Sequence, residues 1–187
     1  MIKEYLIFIF SIVFRPLLPL FIHKLHNSVV HVAFFKMGGL SKFIDSIGNI
    51  IIYSIHDYAI LQIQGIPFYL GKKSYTTLNK YMHYIPCIYH VHQLSHDAED
   101  DWEFLRDKVY MITLHDYFWI CERFFMLDTN YEFCNRDGRC CTRSLLPIKM
   151  IMTCAKYRVI PDISMKTYLD KFYNCEFIVI PHGIKCE

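Results

Sequence analysis

The sequence predicts an α/β protein: a Rossmann-like, doubly wound, mostly parallel sheet. Three observations carry this. Short apolar runs rich in β-branched and aromatic residues recur from residue 28 onward. Amphipathic stretches of helical length lie between them. The runs are continuously apolar rather than alternating, as expected of strands buried on both faces. Strands separated by helices build a parallel sheet covered on both sides.

The elements follow in order. Val29–Phe35 (VVHVAFF) reads as a buried strand, broken at Lys36-Met37-Gly38-Gly39. Leu40–Ile47 reads as a short helix ended by Gly48-Asn49. Ile50–Ile55 is the next strand, and Gly65–Leu70 another, closed by Gly71. Ser74–Tyr84 has helical character. Cys87–His92 is a strand, after which Ser95 or Asp97 caps a helix running to Arg106. Lys108–Leu114 is a strand of the buried kind. Phe118–Cys141 lacks periodicity and reads as a long loop with a short helix. Ser144–Cys154 is helical, Ala155–Ile160 a strand, Ser164–Phe172 a helix and Glu176–Ile180 the last strand, ended by Pro181-His182-Gly183.

Composition narrows the function classes. The chain has 187 residues, 53% of them hydrophobic and 20% charged, which excludes a disordered chain. A net charge of +2 calls for no nucleic-acid partner. The eight cysteines contain no CxxC pair, and free thiols packed as small hydrophobes are the expectation over a metal or a disulfide. Residues 1–27 are set apart by an apolar run that holds Arg15, Pro16 and Pro19. Three readings stand: an interfacial membrane-seating helix, a packed structural helix, or a membrane anchor.

Ligands in open α/β sheets sit outside the carboxyl ends of the strands. The candidate chemistry falls there. Gly38 and Gly39 follow the first strand and open a helix, where backbone N–H groups can hold a phosphate; a tight βα turn is the alternative. His90 and His92 are two apart on a strand and share a face. His115, Asp116 and Tyr117 end the strand Met111–Leu114. His115 can donate to a sugar or phosphate oxygen; Asp116 can accept from a hydroxyl, orient the imidazole, or simply cap the segment that follows. Ile55-His56-Asp57-Tyr58 resembles Leu114-His115-Asp116-Tyr117, and one tetrapeptide is too little to define a repeat. No residue is assigned as a metal ligand.

The block from Tyr110 to Cys121 (YMITLHDYFWIC), with Arg123, Leu127-Asp128, Cys134 and Cys140-Cys141, is similar to bacterial family-4-type glycosyltransferases. Ile88–Leu94 (IYHVHQL), Gly38-Gly39-Leu40 and Phe177–Ile184 (FIVIPHGI) resemble other segments of that family, in the same order. Glu122 stands where the family usually has proline. The resemblance implies the N-terminal, acceptor-side half of a GT-B fold, spanning residues 28–187. It implies no resident cofactor, with a nucleotide sugar as donor substrate and a saccharide or lipid-linked acceptor. His115 and Asp116 are then the catalytic candidates, and Gly38, Gly39, His90, His92, Tyr117 and Arg123 the substrate-binding ones. Transfer with retention is the implied outcome, in surface-polysaccharide or lipopolysaccharide assembly.

Three residues follow Ile184, so the expectation is a chain lacking the donor-binding domain and weakly active or inactive alone: a truncated or split reading frame, or one half of a two-chain enzyme whose second chain binds the donor. The implied location is cytoplasmic, peripheral on the inner face of the cytoplasmic membrane. Two alternatives stay open: a non-catalytic remnant or partner module of the same fold, and a metal-dependent hydrolase using His90, His92, His96, Asp97 and His115.

Overall fold

In the computed structural model the described residues are 29–33, 44, 50–55, 58–63, 66–71, 87–94, 98–121, 123, 126–127, 130–134 and 144–181. They fall into two compact units. One is drawn from the chain up to Val91 together with Asp107–Val109; the other comprises His92–Arg106 and the chain from Tyr110. The expected segments 1–27 and Ser74–Tyr84 lie outside the described residues. Among the described residues no helix is long and apolar enough to cross a membrane.

The first unit holds β1 (Val29–Ala33), β2 (Ile50–Ile55), β3 (Tyr58–Ile63), β4 (Ile66–Gly71) and β5 (Ile88–Val91), in the order β4-β3-β2-β1-β5. β1 is parallel to both β2 and β5. Its side chains are buried continuously from Val30 to Ala33, the signature of a strand covered on both faces. Ala33, Ile44 and Ile51 form a fully buried apolar cluster.

One sequence expectation needs correction here. Tyr58–Ile63 is a strand that the reading by apolar runs passed over. It pairs antiparallel with β2 and with β4. Ile55 faces Tyr58 and Ile63 faces Ile66, so two residues lie in each connection: His56-Asp57 and Gln64-Gly65. Such short links permit only antiparallel neighbours, because a parallel return needs a dozen residues or more. The parallel strands β2, β1 and β5 of this unit therefore carry an antiparallel meander at the β2 side.

The second unit holds three parallel strands, β6 (Tyr110–Thr113), β7 (Tyr157–Ile160) and β8 (Ile178–Val179), in that order. Its helices are α1 (Ala98–Leu105), α2 (Leu146–Cys154) and α3 (Ile163–Leu169). α2 lies between β6 and β7 in the chain and α3 between β7 and β8, giving two successive βαβ units.

The helix ends are explicit in the residues. Leu146 N donates to Ser144 Oγ at 3.2 Å, and Pro147 sits in the first turn of α2, where it forfeits no helical bond. At the other end Arg158 Nη2 donates to the carbonyls of Thr153 (2.7 Å) and Ala155 (2.6 Å), and its Nε to Met152 O. Asp162 caps α3, accepting from Met165 N at 2.8 Å. Tyr110 and Ile151, both buried, tie β6 to α2 through the Tyr110 hydroxyl, which donates to Ile151 O at 2.7 Å. Parallel pairing and βαβ connections make this an α/β, Rossmann-like architecture.

Candidate functional site

The carboxyl ends of β6 and β7 carry the polar groups of the second unit. Leu114 N still donates to Val159 O at 2.9 Å, so the ladder holds to the residue before His115. The chain then turns. Asp116 is extended, and its Oδ1 accepts from Phe118 N at 2.8 Å, opening a 3-10 turn over Tyr117–Trp119. Of the roles open to Asp116, capping is the one this bond fulfils. Phe118 and Trp119 are fully buried and pin the turn to the core.

With the backbone so fixed, His115 is held against His92. The ring nitrogens His92 Nδ1 and His115 Nε2 are 2.9 Å apart, and the rings stack with 29° between their planes. His92 is 1% exposed, so its nitrogen takes this bond in place of water. His115 is half-buried.

The chemistry of such a pair is restrictive. One nitrogen must carry the proton and the other must accept it. In the neutral pair the two tautomers are therefore coupled. When His92 Nδ1 donates, the proton of His115 sits on Nδ1; when His115 Nε2 donates, its Nδ1 is an acceptor. With one added proton the pair stays bonded and His115 carries an N–H at Nδ1, whichever ring holds the charge. Two added protons leave no acceptor and break it. A singly protonated pair thus presents one positive charge and an N–H on His115, suited to an anionic oxygen.

Tyr117 and Asp162 continue the surface. Burial pushes the Tyr117 phenol above its ordinary range, and the negative charge of Asp162, past the end of β7, adds to it. The Tyr117 ring meets Tyr168 edge-on at 5.8 Å, and Phe133 meets Tyr168 likewise at 5.5 Å. Phe133 is 53% exposed. The expected long loop is therefore ordered around aromatic contacts over its described part. Leu127 and Phe133 form an antiparallel bridge, and Cys134 N donates to Met126 O at 2.6 Å. Arg123 Nη1 donates to Leu127 O at 3.4 Å, so the guanidinium braces this loop. Cys121 and Cys134 are both buried, the setting expected of small packed hydrophobes.

The other predicted residues lie elsewhere. His90, in β5 of the first unit, is half-buried beside His31, with ring centroids 5.2 Å apart. Gly38, Gly39, His96 and Asp97 lie outside the described residues. Sequence reading missed His31, Asp162, Tyr168 and Phe133 as members of these clusters. Asp162 had a readable signal, a carboxylate between a strand and a helix. The others depend on contacts across the fold. Comparison with family models, with curated proteins and with solved structures finds no match for this chain.

Proposed function

We propose that the chain is the acceptor-side domain of a GT-B-type glycosyltransferase and that His115, held by His92, engages the donor's phosphate or sugar. The observation that carries this is the hydrogen-bonded imidazole pair at the carboxyl end of a parallel strand. Departure of a nucleoside diphosphate builds negative charge on phosphate oxygens, and a fixed N–H aimed there lowers the barrier. His92 fixes the ring; a lone surface histidine would have to be ordered at the moment of reaction. The aromatic edge formed by Tyr117, Tyr168 and exposed Phe133 gives an apolar sugar face something to stack on. The TLHDY segment and its neighbours resemble the glycosyltransferase pattern, which supports the same reading. Membrane seating through residues 1–27 and a second, donor-binding chain belong to this proposal.

The test is transfer of labelled sugar from nucleotide sugars to saccharide and lipid-linked acceptors, by the chain alone and with a separately supplied donor-binding domain. The proposal expects weak turnover alone, a gain with the second domain, and at least a tenfold loss in His115→Ala. Transfer unaffected by His115→Ala, or no transfer under either condition, would overturn it.

A further inference from the structure

We propose that His31 and His90 together ligate a divalent transition-metal ion. The two residues sit on neighbouring parallel strands, in register with one another. Both strands belong to the first unit, so the pairing rests on the sheet itself. A ring nitrogen of His31 and one of His90 lie within 4.8 Å of each other. Two imidazoles on a tetrahedral zinc ion, with bonds of about 2.0 Å, place their nitrogens about 3.3 Å apart. The two nitrogens therefore need to approach by at most about 1.5 Å.

The ring planes are tilted by 44°, so the in-plane lone pairs are not held in parallel, non-converging directions. Metal ligation needs a neutral imidazole. His31 is 7% exposed, so an ion held against it would be largely shielded from bulk water. His90 is half-buried and leaves a route for the ion. Each ring donates one lone pair, and water completes the shell. Imidazole ligands suit zinc, copper and nickel rather than magnesium or calcium.

The sequence hides this pair, because 59 positions separate the two residues and the glycosyltransferase reading has no use for His31.

The experiment uses the full chain, stripped with a chelator and titrated with Zn²⁺. Calorimetry gives the stoichiometry, and long-range nitrogen NMR follows the histidine rings. The expected result is one ion per chain at micromolar concentration, with the coordinating nitrogens of His31 and His90 shifting together. His90→Asn, at the more exposed position, is expected to weaken binding at least tenfold while the chain stays folded. Binding that leaves both rings unshifted, or an affinity unchanged in His90→Asn, would overturn the assignment, as would no binding at about 100 μM Zn²⁺, a concentration far above that of tight protein zinc sites.

Discussion

Replacing Tyr110 by Phe removes a single hydroxyl from the join between β6 and α2. The residue is 1% exposed, and its hydroxyl donates to Ile151 O at 2.7 Å. A net intramolecular hydrogen bond contributes about 1 kcal/mol. The acceptor is not stranded by the change, because Ile151 O also receives Ala155 N at 3.1 Å. The full penalty for an unpaired buried carbonyl therefore does not apply. A small void where the oxygen sat adds a few tenths, for a total of about 1–1.5 kcal/mol. Urea unfolding slopes of about 1–3 kcal/mol/M turn this into a midpoint shift of about 0.5 M. The chain has two tryptophans, Trp102 and Trp119, and both lie in the second unit, so their fluorescence follows that unit alone. A loss under about 0.3 kcal/mol would show that the hydroxyl is not bonded in the folded protein. A loss above about 3 kcal/mol would show that more than one hydrogen bond is at stake.

Three further outcomes follow from the same second unit. Arg158→Met is expected to lower the urea midpoint more than Tyr110→Phe, by about 2 kcal/mol, because α2 loses three carbonyl contacts at its end; Arg158→Lys should recover only part of it, since an ammonium lacks the fork. Asp162→Ala is expected to cost about 1 kcal/mol by removing the α3 cap, seen as faster amide exchange at Met165. Bonds from Ser164 and Met165 hold the Asp162 carboxyl below its ordinary 3.8, so its contribution is present above that pH and fades as pH falls through the lowered value. Asp162→Asn keeps a capping side chain but should lose that pH dependence, which acid titration of α3 exchange rates would reveal.

The fold was legible where burial alone decides. Val30–Ala33 and Tyr110–Thr113 are mostly apolar and mostly buried, with His31 and Thr113 the buried polar members, and each run stands out from its surroundings. Tyr58–Ile63 was not legible by that rule. It follows β2 after His56-Asp57, a link without the glycine or asparagine that marks a tight hairpin. The polar triplet His115-Asp116-Tyr117 was readable because it interrupts an apolar strand, yet its internal roles were not. Asp116 spends one oxygen on the backbone of its own turn. His115 finds its partner 23 residues back. A pairing of that kind depends on where the strands end in space, which local sequence does not encode. Arg123 illustrates the same limit: a cation beside a candidate site, it is directed at the carbonyl of Leu127.

In the proposed function the His92–His115 pair receives the phosphate or sugar of a nucleotide sugar. Nitrogen NMR of the histidine rings, during titration with UDP-glucose, tests it most directly. Both rings are expected to shift together and saturate, and His92→Ala to weaken the binding because His115 loses its brace. Rings that stay unmoved at millimolar ligand, or a His115 response that survives unchanged in His92→Ala, would contradict it.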